Sequence, residues 1–170
     1  DEDKGARIYG ELTRLANKHR SDKGTMDHTH DSGWNGFVHN YCDFYQAHLE
    51  PIRLSARKVL EVGVWFGGSL RMWRDYFPNA LIYGFDSDLS QVQGELGERI
   101  ILKQGDQSKR EDLAALSHTD WDLIVDDGGH TMEQQQVTLA ALFPKLRPGG
   151  YYILEDLFTS FFPEFGLEPD

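Results

Sequence analysis

Beyond residue 57, short apolar runs alternate with amphipathic stretches. The apolar runs at Val59–Val64, Ala80–Phe85, Arg99–Lys103, Trp121–Val125 and Tyr151–Leu154 have strand length and are mostly rich in β-branched and aromatic residues. Between them, Leu70–Phe77, Arg110–Leu116 and Met132–Lys145 space apolar residues at helical intervals. Pro78 stops the first of these helices, and Arg147-Pro-Gly-Gly announces the end of the last. Ahead of this region, residues 6–19 set Ile8, Leu12, Leu15 and Ala16 at helical spacing. Residues 20–36 are rich in Gly, Asp, His, Ser and Thr and read as loop, and a second helix is expected from Phe37 to Leu49, before Pro51.

Strands alternating with helices predict an α/β fold: a Rossmann-like, doubly wound, mostly parallel sheet with right-handed crossovers and N-terminal helices. The expected organisation is one compact unit in two parts. Residues 1–57 form a helical segment with an acceptor-side loop, and residues 58–170 form the cofactor-binding core. Ligands of such sheets collect at the carboxyl ends of the strands. Here every predicted strand ends in acid: Glu61, Asp86, Asp106, the pair Asp126–Asp127, and the pair Glu155–Asp156.

The run from Lys58 to Ser69 is the most informative. A strand ends in Glu61 and Gly63, a Gly-rich turn follows, and a helix starts near Ser69. That layout gathers backbone N–H groups and a carboxylate around an adenosine-type ligand. Asp86, ending the second strand, can accept from both ribose hydroxyls. Asp106, followed by Gln107, is placed to accept from an adenine amino group. A dinucleotide fingerprint needs glycine where Trp65 stands, and Glu61 would repel a pyrophosphate. An amino-acid ammonium and a sulfonium are cations and suit an acidic pocket, which favours S-adenosylmethionine over a nicotinamide cofactor. Structural roles compete at some of these positions: Asp106 as a turn residue after Gly105, Asp86 as a helix cap.

The formal charge of -11 weighs against nucleic acid or an anionic membrane surface as partner. The single cysteine, Cys42, allows no intrachain disulfide, and no apolar run approaches a membrane span. A cytoplasmic, reducing setting is the expectation. A homo-oligomer is left open.

Val125-Asp126-Asp127-Gly128-Gly129-His130 lies where an acceptor should sit. Adjacent carboxylates on extended backbone point in different directions, so Asp126 can face a cofactor while Asp127 faces the acceptor. The glycines let His130 bend back towards the same space. Neighbouring strands lie about 4.8 Å apart, so Asp127 and the Glu155–Asp156 pair can share one ion. Three carboxylates suit a hard cation such as Mg2+, with His130 as general base for a hydroxyl.

The pattern over residues 58–157 resembles class I S-adenosylmethionine-dependent methyltransferases. A closer resemblance covers nearly the whole chain. It rests on Ser21-Asp22-Lys23-Gly24, His39-Asn40-Tyr41, Phe44-Tyr45 to Arg53, Gly67–Trp73, Ile124–His130, Glu155-Asp156-Leu157, Thr159-Ser160 and Pro163–Gly166. These segments look like the Mg2+-dependent sugar O-methyltransferases of macrolide and related glycoside biosynthesis, the group that includes the mycinamicin and tetracenomycin rhamnosyl enzymes. The resemblance implies metal ligation by Asp127, Glu155 and Asp156, His130 as base, and a cofactor contact at Asp126. The partner it implies is a small-molecule hydroxyl acceptor. Two departures stand out. Residues 25–36, with His28 and His30, look longer than the usual link and read as a mobile polar loop. The chain also stops soon after its fifth strand, where the family's sheet continues with a hairpin, so C-terminal strands are expected to be missing. A non-catalytic methyltransferase-like binding module is the alternative function.

Overall fold

The computed structural model describes residues 10–25 and 39–165. Its elements are α1 (Glu11–Lys18), α2 (Cys42–Leu49), β1 (Lys58–Val62), α3 (Gly68–Tyr76), β2 (Leu81–Asp86), β3 (Ile100–Gln104), α4 (Arg110–Ala114), β4 (Trp121–Asp126), α5 (Met132–Leu142) and β5 (Leu146–Leu154). The strands form one parallel sheet in the order β3-β2-β1-β4-β5. The expected Rossmann-like architecture is therefore present. The order reverses between β1 and β4, and a crevice opens at that point beyond the strand ends.

Period-two alternation sends successive strand residues to opposite faces of the sheet. Val59 packs with α1, α2 and α3 through Leu12, Leu15, Leu49, Leu70 and Trp73. Leu60 and Val62 pack on the other face with Leu113, Trp121 and Leu142. Both faces are thus covered, which is why the strands read as nearly continuous apolar runs. Among the described residues, no helix is long and apolar enough to cross a membrane.

Three boundaries differ from the sequence reading. Ile8, Phe37, His28 and His30 lie outside the described residues, and α2 starts at Cys42. Pro144 turns the end of α5 into a 3-10 turn over Phe143–Lys145. β5 begins at Leu146, ahead of the expected Tyr151, so the supposed stop signal lies inside the strand. Leu146 pairs with Trp121 and Tyr151 with Leu123, with a bulge between them that absorbs Pro148-Gly149-Gly150. β5 is an edge strand, the place in a sheet where proline is tolerated.

A polar contact ties α1 to α3. Asp75 Oδ2 lies 2.7 Å from His19 Nε2 and 3.0 Å from Lys18 Nζ, while Oδ1 accepts from Arg74. Burial alone would raise the Asp75 pKa, but the donors of His19, Lys18 and Arg74 outweigh it and hold the carboxyl well below its usual range. A depressed carboxyl pKa stabilises the fold above the unfolded value and is lost as pH falls towards the folded one. Asp75→Asn should therefore cost roughly 1–3 kcal/mol near neutrality. In paired thermal melts the gap to wild type should narrow below about pH 4.

Candidate active site

The crevice is built around close approach of the β1 and β4 exits. Gly63 N donates to Phe85 O (2.8 Å) and Asp127 N to Val62 O (2.8 Å). Gly63 has φ +92°, and a β-carbon there would run into the Asp127 carbonyl. Glycine is therefore required for the two chains to leave the sheet side by side.

On the β1–β2 side, Asp86 Oδ2 accepts from the backbone of Val64 (2.7 Å) and Trp65 (3.2 Å), and Oδ1 from Asp88 N (3.0 Å). Asp86 thus shapes the Gly-rich turn, on which Trp65 stacks over Phe66 with centroids 4.2 Å apart. Glu61 is fully buried, since alternation along β1 turns it into the face covered by α3. Its Oε2 accepts from Ser69 Oγ (2.6 Å) and its Oε1 from Trp73 Nε1 (3.2 Å). Burial pushes its pKa up to about 7, against the pull of Lys23 and Ser69. Glu61 and Ser69 therefore brace the start of α3 from inside. Asp106 Oδ1 accepts from Ser108 N (2.9 Å) and Ser108 Oγ (2.7 Å), the geometry of a turn residue.

Asp126, Gln107 and the loop after β4 form one network. Gln107 Nε2 donates to Asp126 Oδ1 (3.2 Å) and Thr138 Oγ1 (3.1 Å), and Gln107 Oε1 accepts from Gly129 N (2.7 Å). Tyr152 OH donates to Asp126 Oδ2 (3.3 Å). Burial pushes Asp126 up to about 7, despite the hydrogen bonds from Gln107 and Tyr152.

The other half of the site has a centre that the sequence reading missed. Lys23 is 1% exposed, and its Nζ contacts Asp127 Oδ2 directly, lies 2.9 Å from Glu155 Oε2 and 3.9 Å from Glu61 Oε1. Burial alone would lower the Lys23 pKa, but Asp127, Glu155, Glu61 and Asp22 together hold it well above its ordinary value. Asp127 and Glu155 do meet at a common atom, as their strand ends suggest, and that atom is an ammonium nitrogen. Burial, opposed by Lys23, raises the pKa of both carboxyls. Lys23 is carried in by backbone pairing, with His39 N on Asp22 O (2.9 Å), Tyr41 N on Lys23 O (3.0 Å) and Asn40 N on Gly24 O (3.1 Å). The same ladder brings Tyr41 OH to Asp156 Oδ1 (2.9 Å).

Asp127, His130 and Asp156 each present one ligand atom, all within 4.8 Å of one another. His130 Nε2 lies 3.7 Å from Asp127 Oδ1 and 3.5 Å from Asp156 Oδ2. His130 sits at φ +59°, and Thr159 Oγ1 donates to its carbonyl at 2.8 Å. Glu155, expected in the same set, is drawn inward by Lys23 and falls outside this trio. Its Oε1 is buried and completes no hydrogen bond, although the Tyr45 hydroxyl approaches the carboxylate. Two open carboxylate oxygens and an orphaned buried oxygen nearby fit a hard divalent cation of the Mg2+ type, with the His130 imidazole beside them.

A family model described as "Methyltransferase domain" matches residues 60–157. Mycinamicin VI 2''-O-methyltransferase of Micromonospora griseorubida is 42% identical over 145 residues, 79% of this chain and 36% of that protein. A tetracenomycin-C 3'-O-methyltransferase of Streptomyces olivaceus, acting on the 8-demethyl-8-(2-methoxy-alpha-L-rhamnosyl) form, is 37% identical over 166 residues, 92% of this chain and 39% of that one. The solved MycE methyltransferase from the mycinamycin pathway, in complex with Mg, SAH and mycinamycin VI, superposes with a TM-score of 0.77 at 38% identity, covering 95% of this chain and 43% of that one. The chain thus spans about two fifths of the length of such relatives. With the matched residues running from β1 past the end of β5, the chain belongs to the methyltransferase-domain family.

Proposed function

We propose that this chain is the cofactor-binding and ion-binding part of an S-adenosylmethionine-dependent O-methyltransferase that acts on a sugar hydroxyl of a glycosylated natural product. The observation that carries this reading is the trio Asp127, His130 and Asp156 at the carboxyl ends of β4 and β5, beside the switch point of a methyltransferase-domain sheet. Its likeness to sugar O-methyltransferases, and to one solved with Mg and SAH, supports the substrate class and the cofactors.

In this reading Gly63 and the turn shaped by Asp86 receive the cofactor, with Asp86 also serving the ribose. Asp126 and Gln107 line its other side, and Glu61 with Ser69 holds α3 in place behind it. Asp106, held by Ser108 on one oxygen and facing Lys109 Nζ at 3.5 Å on the other, would offer this part-exposed carboxylate to the adenine edge. Asp127, Glu155 and Asp156 form the acidic wall that holds Mg2+ or another divalent cation. When bound, that ion supplies Lewis-acid stabilisation of negative charge developing on the acceptor oxygen. His130 Nε2 takes the hydroxyl proton as general base. The oxygen attacks the sulfonium methyl in line, the S–CH3 bond breaks, its electron pair stays on sulfur, and neutral S-adenosylhomocysteine leaves. A non-catalytic module has no need of so many buried and semi-buried carboxylates around one histidine.

In the full-length protein, a chelator should abolish methyl transfer while calorimetric binding of S-adenosylhomocysteine persists. His130→Ala should lower turnover by about 10²–10⁴-fold with cofactor affinity unchanged. Full turnover in that variant would remove His130 as the base. Gln107→Leu removes the Gln107 partner of Gly129 N and of Asp126 Oδ1, leaving Asp126 with Tyr152 on its other oxygen, so it should cost roughly 1–3 kcal/mol in denaturant melts and weaken S-adenosylhomocysteine binding.

A further inference from the structure

The three acidic groups behind the ion-binding reading are not held alike. Asp127 has Oδ2 on Lys23 and Oδ1 turned towards His130. Glu155 has Oε2 on Lys23 and Oε1 without a hydrogen bond. Asp156 has Oδ1 on the Tyr41 hydroxyl and Oδ2 turned towards His130. In each case a donor from the N-terminal segment takes one oxygen; the second oxygens of Asp127 and Asp156 face His130, and that of Glu155 is buried beside the Tyr45 hydroxyl. Both donors ride on one short backbone ladder, residues 22–24 against 39–41, so their spacing is fixed as a unit. His39 adds a looser contact, with Nδ1 3.6 Å from Asp156 Oδ1, on the same oxygen that Tyr41 already holds.

We infer that Lys23 and Tyr41 are positioning residues: by holding one oxygen of each of Asp127, Glu155 and Asp156, they set the open oxygens as a rigid cradle that selects a small divalent ion. This rests on the ion-binding part of the function proposed above. The physical reason is geometric. A carboxylate with both oxygens free swings between monodentate and bidentate ligation and tolerates a large ion with variable coordination. Mg2+ demands near-octahedral oxygens at roughly 2.0–2.1 Å, whereas Ca2+ accepts six to eight at about 2.3–2.6 Å. Pinning one oxygen removes the bidentate mode and favours the smaller ion. Lys23 also carries a charge, which opposes any cation nearby, but that repulsion acts on Mg2+ and Ca2+ alike. The ratio of the two affinities therefore isolates positioning from charge.

The test is calorimetric titration of the full-length protein with MgCl2 and, separately, CaCl2, for wild type, Tyr41→Phe and Lys23→Met. S-adenosylhomocysteine binding by thermal shift serves as the control for folding. Tyr41→Phe changes no charge and should weaken Mg2+ by about 10-fold or more, in the range seen when partners of metal ligands are removed. Ca2+ should weaken much less, so the Mg2+:Ca2+ ratio falls. Lys23→Met should lower the ratio in the same direction, whatever happens to the absolute affinities. An unchanged ratio in Tyr41→Phe overturns the proposal, and that variant decides alone if Lys23→Met no longer binds S-adenosylhomocysteine. Wild type binding neither ion would overturn both this inference and the ion-binding reading. Wild type binding Mg2+ with an unchanged ratio in the variants would overturn the inference only.

Discussion

The site depends on one buried ammonium. Lys23 reaches Asp127 and Glu155 across sequence separations of 104 and 132 residues, and Glu61 lies 3.9 Å from the same nitrogen. Strand ends from β1, β4 and β5 bring carboxylates together because the sheet order places β4 between β1 and β5. Left to themselves, such buried anions would repel one another and take up protons. Lys23 offsets that repulsion. Removing one partner from a buried charge cluster typically costs about 3–5 kcal/mol, so the contact also fixes the N-terminal segment against the core.

The same contact divides the crevice into two halves. Asp126 and Asp127 are consecutive, and extended backbone turns them to opposite sides. Asp126 enters the network of Gln107, Tyr152 and Thr138, and Asp127 faces Lys23 and His130. The Asp126 half is stabilised by hydrogen bonds from Gln107 and Tyr152, and the Asp127 half by the Lys23 charge. Gly63 lets these halves lie within van der Waals reach, since its backbone touches the Asp127 carbonyl region with no side chain between. The proposed transfer of a sulfonium methyl to an ion-held oxygen would need that closeness.

Much of this was legible in the chain. The apolar runs located all five strands, because a sheet covered on both faces buries nearly every position of its central strands. Acid at the strand ends marked the rim, and the Asp-Asp-Gly-Gly-His run gave Asp127 and His130. The features that pattern alone did not reveal have physical causes. Pro148 and the glycines after it read as a stop, yet a bulge on an edge strand takes them in. Glu61 reads as a cleft carboxylate, but alternation along β1 buries it beneath Trp73. Asp106 lies one residue beyond Gly105 and is claimed by a local turn with Ser108. Lys23 carries no periodic signal, since its role comes from contacts more than 100 residues away and from a backbone ladder that pattern alone does not reveal. Its only trace was the Ser-Asp-Lys-Gly segment in a resemblance that gave it no role.

The most direct test is an anomalous difference map from crystals of the full-length protein soaked in Mn2+ with S-adenosylhomocysteine. The account predicts a single peak at bonding distance from Asp127 Oδ1 and Asp156 Oδ2, with the Lys23 ammonium still seated on Asp127 Oδ2 and Glu155 Oε2. A peak at the ammonium position itself, with the Lys23 side chain displaced, would contradict it.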